Sequence, residues 1–311
     1  MTSLIVGGGG FLGKNLADLL LSKGQTVGIF ERVGYDRLQF RQHQEIEWNF
    51  GDYANSGDIS TALQNVDVVY LFASTTTPKT SNDNFSYDIE SNLVATVSFL
   101  EIASRHEIRK IIFPSSGGTV YGIPGNTPIV ETHSNHPICS YGINKLAIEK
   151  YLALFKRQYG LDYTVLRISN PYGPYQSVNS GQGVVANFLH KVINNEEIEI
   201  WGDGSVVRDY VYVADVARAL LQAANKNSEQ RIFNIGSGFG YDLNEILLHI
   251  EQIAGKKARR HYVAGRLLDV PINILDIGMA RQLLDWTPSY TLHEGLEATA
   301  NWLYNQTPSK K

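Results

Sequence analysis

Four consecutive glycines leave a chain few ways to fold around them. The apolar run Ser3–Val6 enters Gly7-Gly-Gly-Gly-Phe-Leu-Gly13, and a helical pattern, Phe11–Lys23, follows at once. Gly7, Gly10 and Gly13 give the spacing G-x-x-G-x-x-G between a strand and a helix. There, glycine permits a tight turn and lets the backbone touch an anion. The helix N-terminus adds unpaired N–H groups and the positive end of its dipole. The segment reads as the first βα unit of a dinucleotide-binding sheet, with Gly7, Gly10, Phe11, Leu12 and Gly13 around a pyrophosphate. A merely flexible turn is the alternative.

The rest of the first half keeps the same rhythm. Apolar runs at Thr26–Phe30, Val66–Phe72, Lys110–Phe113 and Tyr163–Arg167 alternate with helical patterns at Phe85–His106 and Ser140–Tyr159. Strands apolar almost throughout are expected where helices cover both faces of a parallel sheet. In the helix over 85–106, Ile89, Leu93, Val97 and Leu100 recur at helical spacing, which predicts one buried stripe. After Asn170 the pattern changes. Asn170-Pro-Tyr-Gly-Pro-Tyr-Gln176 marks a loop, and shorter mixed elements follow: helices at Val184–Asn194, Val213–Ala224, Leu243–Ala254, Gly278–Leu284 and Leu292–Tyr304, and a strand at Ile198–Trp201. Arg231–Asn234 reads as a strand returning to the large sheet. The expected fold is α/β: a Rossmann-type, doubly wound parallel sheet over 1–170, with 208–242 partly returning to it, and a smaller mixed α/β C-terminal lobe over 171–311 that holds substrate.

Charge narrows the partners. A net charge of −4 gives no footprint for nucleic acid or an anionic membrane, so a small molecule is expected. No stretch reads as a signal peptide or membrane span. The single cysteine, Cys139, excludes an intrachain disulfide framework and fits a reducing compartment, so a cytoplasmic address is expected.

Two further features carry chemistry. Glu31 ends the second strand, where a carboxylate accepts hydrogen bonds from ribose hydroxyls and repels a 2′-phosphate, which favours NAD. Arg32 beside it is compatible with NADP, and an ordinary solvated strand end is the bland alternative. Tyr141-Gly-Ile-Asn-Lys145 places a phenol and an ammonium at i and i+4 on one helix face. A free phenol titrates near pH 10, and a neighbouring cation makes it a more usable acid–base group. Taken alone, the pair could be an exposed helix surface. His133 and His136 could in principle chelate a metal, but without clustered cysteines or acids a polar loop is the reading, and no metal is expected.

These motifs jointly resemble the extended short-chain dehydrogenase/reductase family, in particular its NAD-dependent sugar-nucleotide epimerase and dehydratase branch, whose nearest type is the UDP-galactose 4-epimerases. The resemblance runs to about Trp302. It includes Gly51-Asp-Tyr53, Leu71-Phe-Ala-Ser74, Asn92, Ser115-Ser-Gly-Gly-Thr-Val-Tyr-Gly122, Arg167-Ile-Ser-Asn-Pro-Tyr-Gly-Pro174, Trp201-Gly-Asp-Gly204 and Arg208-Asp-Tyr210. It implies that Asp52, Tyr53, Phe72, Ala73, Ser74, Asn92 and Ser115 join Glu31, Arg32, Tyr141 and Lys145 around the cofactor. It also implies that Thr119, Asn170, Trp201, Arg208 and Arg266 meet a nucleotide-sugar substrate. Forked arginine donors suit a pyrophosphate; structural ion pairing is the alternative for both arginines, and a core position for Trp201. A homodimer through the helices 85–106 and 140–159 is implied as well.

The resemblance breaks at one point. The 4-epimerases carry a serine or threonine three residues before the valine of Val-Tyr-Gly, and counting back from Val120 gives Gly117. Ser116 is the expected stand-in as third catalytic residue beside Tyr141 and Lys145, with a strand-end cap as its alternative. Gly118-Thr119 lacks the acids that dehydratases and decarboxylases place there, so both reactions drop. The leading expectation is an NAD-dependent 4-epimerase of a UDP-hexose working through a 4-keto sugar. Its rivals are an NAD(P)H-dependent reductase of a dTDP-4-keto-6-deoxy sugar and a regulatory protein that binds dinucleotide without turnover.

Overall fold

Leu4 and Val6 point to one face of the first strand and Ile5 to the other, and all three are buried, so this strand can lie only in the middle of a covered sheet. A computed structural model, describing residues 1–40, 43–178, 183–265 and 270–306, places it there. The N-terminal elements are β1 (Thr2–Val6), α1 (Phe11–Ser22), β2 (Thr26–Glu31), β3 (Glu47–Phe50), α2 (Ser56–Ala62), β4 (Val68–Leu71), α3 (Phe85–Asp88), a π turn (Ile89–Val94), α4 (Ala95–Ala103), β5 (Lys110–Ser116), α5 (Ser140–Tyr159) and β6 (Tyr163–Ile168). The C-terminal part adds β7 (Asn170–Tyr172), α6 (Val184–Ile193), β8 (Glu197–Trp201), β9 (Val207–Tyr212), α7 (Val213–Asn225), β10 (Ile232–Ile235), β11 (Gly240–Tyr241), α8 (Leu243–Ala254), β12 (Arg259–Val263), β13 (Ile272–Asn273), α9 (Gly278–Leu283) and α10 (Leu292–Gln306).

Seven strands form one parallel sheet in the order β10-β6-β5-β4-β1-β2-β3. The fold is thus the Rossmann-type α/β sheet read from the sequence, and the strand read at Arg231–Asn234 does return, as β10 pairing with β6. β3, whose Glu-Trp-Asn-Phe alternates polar and aromatic residues, lacks the continuous apolar run of an inner strand; it is the edge of the sheet. The order in which strands are added reverses between the parallel neighbours β1 and β4, which opens a crevice at their C-terminal ends. Around β9, which pairs with β7, β11 and β13, the second lobe builds its own sheet, and β8 pairs with β12.

Of the stripe expected in the helix over 85–106, Leu100 is buried and Leu93 packs against the core, while Ile89 departs from it. Ile89 is 42% exposed, and the residues turned inward are Asp88, Asn92, Ala95, Thr96, Phe99, Leu100 and Ala103. The π turn inserts an extra residue into the helical repeat, so the apolar spacing before it no longer meets the core. Two polar side chains, Asp88 and Asn92, take the inward positions instead.

Candidate active site

The glycine loop is shaped by close approach. Gly7 adopts φ +75°, and a side chain there would sit 2.9 Å from the Ala73 amide nitrogen; at Gly13 it would sit 2.4 Å from the Gly8 carbonyl. The loops after β1 and β4 therefore pass against each other, and the turn closes onto α1. That helix starts at Gly10 with no side-chain cap and no acidic residue in its first turn, which leaves its N–H groups facing the crevice uncapped. Glu31 lies at the same loop: its Oε2 accepts from Gly9 N at 3.0 Å, while Tyr35 Oη donates to Gly9 O at 3.0 Å. An uncapped helix start, a cradle that a Cβ would fill and a carboxylate at the β2 end fit a dinucleotide. The carboxylate at that point disfavours a 2′-phosphate. Arg32 is exposed beside it.

Tyr141 and Lys145 lie on the inward side of α5, where Gly142 lets the helix start press on the Thr119 loop; a Cβ on Gly142 would be 2.9 Å from Thr119 O. They share a small cavity with Ala73, Ser74, Asp88, Asn92, Asn144 and Ile148. Lys145 Nζ donates to Pro114 O at 3.0 Å and stands 5.5 Å from the centre of the Tyr141 ring. Burial pushes the Tyr141 phenol up to about 12, with Cys139 and Asp88 adding to it, and pushes the Lys145 ammonium down to about 8, opposed by Glu149. With the pair alone, the phenol stays protonated at neutral pH.

Other expected cofactor residues behave less simply. Phe72 N donates to Val6 O at 2.9 Å, which extends the β4 end past the glycine loop toward Ala73 and Ser74. Asn92 Oδ1 accepts from Thr75 N at 2.9 Å, and its Nδ2 donates to Asp88 and Thr76, so the carboxamide braces the loop after β4. Asp52 Oδ1 accepts from Ala54 N in its own turn, and Tyr53 stacks on Phe99 with its hydroxyl on Thr96. Ser115 is placed differently from the expectation: its hydroxyl donates to the buried Glu149 at 2.6 Å, away from the cavity. The cause is the buried Glu149–Arg167 ion pair, at 2.6 Å, which draws in a nearby donor.

Gly117 has no room for the hydroxyl it lacks. A Cβ there would be 2.5 Å from Leu275 Cδ1 and 3.1 Å from Arg167 O, while Asn273 Nδ2 donates to Gly117 O at 3.1 Å. Ser116 is half-buried, and neither it nor Thr119 lines the cavity around Tyr141; the Thr119 hydroxyl is buried with no protein partner.

In the second lobe β9 brings the phosphate candidates together. Asn170 pairs across from Tyr210, and Arg208 lies across from Asn273. Asn170 Nδ2 donates to Asp209 O at 3.1 Å, and Arg208 Nη1 donates to Val270 O at 2.6 Å. Trp201 is 41% exposed at the end of β8, which removes the core alternative; the core tryptophan is Trp286, fully buried. Arg266 lies outside the described residues. Among the described residues no group of His, Cys, Asp and Glu is clustered to hold a metal.

Sequence reasoning passed over Asp88, Asn144, Glu149, Arg167 and Asn273. For Asn144 and Glu149 the signal was present: Ser140, Asn144, Lys145 and Glu149 put polar groups on the buried side of α5, where an ordinary helix carries aliphatic ones.

Residues 3–236 match the NAD dependent epimerase/dehydratase family. The chain belongs to that family. Over 313 residues it is 31% identical to the UDP-glucose 4-epimerase of Mycolicibacterium smegmatis, covering 99% of this chain and 100% of that one. Over 304 residues it is 33% identical to the dTDP-4-dehydro-6-deoxyglucose reductase of Escherichia coli, covering 94% and 95%. The crystal structure of the Thermotoga maritima UDP-glucose 4-epimerase with UDP-glucose superposes with a TM-score of 0.93 at 34% identity, covering 98% of this chain and 99% of that one.

Proposed function

We propose that this chain is an NAD-dependent UDP-hexose 4-epimerase. The observation that carries the reading is the meeting of Tyr141 and Lys145 with the β4 end in one cavity beside the glycine crevice, on a chain alike along nearly its whole length to UDP-glucose 4-epimerases. Bound NAD supplies the acceptor for the hydride leaving sugar C4 and its donor on return. Gly7–Gly13 and the start of α1 would hold the pyrophosphate, and Glu31 the adenine-side ribose.

The chain's own groups manage position and protons. Tyr141, as the phenolate, takes the proton of the 4-hydroxyl, holds it as a neutral phenol while the 4-keto sugar exists, and gives it back; Lys145 stabilises the phenolate that stands before the first transfer and after the second. Asn170 and Arg208, with Arg266, would clamp the nucleoside diphosphate through forked donors, leaving the hexose free to turn over. Trp201 is the exposed aromatic that would meet the base, and Thr119 would belong to the substrate side of the loop after β5. Ser116 remains the proposed third catalytic residue because Gly117 is closed to one. We also assign residues 1–170 to the cofactor domain, joined by part of 208–242, and residues 171–311 to the substrate lobe.

The missing hydroxyl at Gly117 and the likeness to the E. coli reductase favour a second reading: delivery of hydride from NAD(P)H to a dTDP-4-keto-6-deoxy sugar, for which Tyr141 alone suffices as proton donor. Cofactor stoichiometry separates them. Incubated with UDP-glucose and no added reductant, the protein should yield UDP-galactose with no net change in nicotinamide absorbance. Stoichiometric loss of NAD(P)H with the keto sugar, and no isomerisation of UDP-glucose, would establish the reductase instead.

A cytoplasmic homodimer completes the proposal. Phe85, Tyr87, Ile89 and Val94 stand exposed on the segment around the π turn, and Ile143, Tyr151 and Leu154 on α5, more apolar surface than a monomer needs there. The single cysteine is consistent with a reducing compartment, and no helix among the described residues is long and apolar enough to cross a membrane.

A further inference from the structure

The cavity around Tyr141 contains an acid that the proposed reaction does not use. Asp88 closes α3 just before the π turn, is fully buried, and lines the same cavity as Tyr141, Lys145 and Asn92. Its carboxylate accepts from the Thr76 hydroxyl, from Asn92 Nδ2 at 2.9 Å and from Asn144 Nδ2 at 2.8 Å. The Thr76 oxygen itself accepts from Asn92 Nδ2 at 3.1 Å, which commits its proton to Asp88. Three neutral donors surround the group, the shell an anion requires, and none of them cancels its charge.

A fixed, dry negative charge acts most strongly on whatever charge changes beside it. On the NAD reading, the group changing charge beside this cavity would be the nicotinamide ring, cationic when oxidised and neutral when reduced. Resting on the NAD reading above, we propose that Asp88 sets the redox preference of the site: its carboxylate favours the oxidised over the reduced dinucleotide, so that the resting protein is charged with NAD⁺ and ready to take a hydride. Lys145 carries the opposite charge in the same cavity but is directed to Pro114 O, so the two charges are held by separate partners.

The test compares dissociation constants of the stripped protein for NAD⁺ and for NADH, by calorimetry and by nicotinamide fluorescence, in the wild type, D88N and T76V. D88N should weaken NAD⁺ about tenfold and leave NADH within about twofold, a range typical for loss of one charge at a partly screened site. T76V removes one hydrogen bond and keeps the charge, so the ratio of the two constants should stay at the wild-type value. Should D88N fail to fold by circular dichroism, D88S is measured in its place with the same expected shift in ratio. Equal weakening of both nucleotides by the Asp88 variant, or a ratio shift in T76V as large as in that variant, would overturn the proposal and leave Asp88 a brace between α3 and α5. A wild type that binds neither nucleotide would instead overturn the cofactor reading on which it rests.

Discussion

Tyr141 is a phenol whose surroundings hold its proton on, and this is a condition for control as much as a defect. Burial raises it, and only added positive charge lowers it again, so proton transfer is tied to a filled site. Replacing Tyr141 with Phe should lower turnover by about 10²–10⁴-fold while dinucleotide binding persists, as measured by rates and calorimetry. Lys145 sets the alkaline limit. Held down to about 8, it carries its charge below that pH and loses it above, and with it the support for the phenolate. The kcat/KM of the free protein should therefore fall as pH rises through about 8. Glu149→Gln removes the opposing carboxylate and should bring that fall to lower pH; an unmoved limb would separate Glu149 from Lys145. At Gly117 the obvious repair is expected to fail. Gly117→Ser would drive a side chain into Leu275 and cost about 1–3 kcal/mol in chemical denaturation without raising activity.

Elements show what a sequence discloses and what it conceals. β1, α1 and the loop between them are legible because the glycine spacing and the apolar run state one local requirement that no distant contact can alter. Tyr141 and Lys145 are legible for the same reason, since i and i+4 on a helix fix their common face. The helix after Phe85 is not. A period of 3.6 predicts Ile89 inward, and the π turn turns it outward, because what selects the extra residue is a cavity formed with α5 and the loop after β4, far away in sequence. Ser115 is hidden likewise: its direction depends on Glu149 and Arg167, on two other elements. The outward turn of Ile89 and its neighbours has its own consequence. Leu154→Glu on α5 should convert the proposed dimer into monomer in analytical ultracentrifugation while the secondary structure is retained; an unchanged sedimentation coefficient would place the interface elsewhere.

On the scale of the whole molecule, the two lobes are fastened by buried polar groups that composition cannot reveal. Asp215, on α7, accepts from the Ser289 and Tyr290 amides and the Ser289 hydroxyl, and Trp286 Nε1 donates to its carbonyl at 2.9 Å. Asp215→Ala would remove the buried carboxylate that the Ser289 and Tyr290 donors and Arg218 share, and should cost about 1–3 kcal/mol, read as a shift of the urea midpoint. The small strands around β9 stay illegible from sequence because two- and three-residue strands have no periodicity to detect, although the residues they align, Asn170 and Arg208, can be picked out one by one. The prebuilt glycine loop bears on how long a guest stays. Glu31 and Tyr35 grip Gly9 from its two sides, and Tyr35 stacks on Trp48 at 5.7 Å, so the loop has little left to order when a dinucleotide arrives. Affinity gained that way is expressed mainly as slow departure. The protein should leave the cell with its nucleotide aboard, visible as excess absorbance at short ultraviolet wavelength after purification.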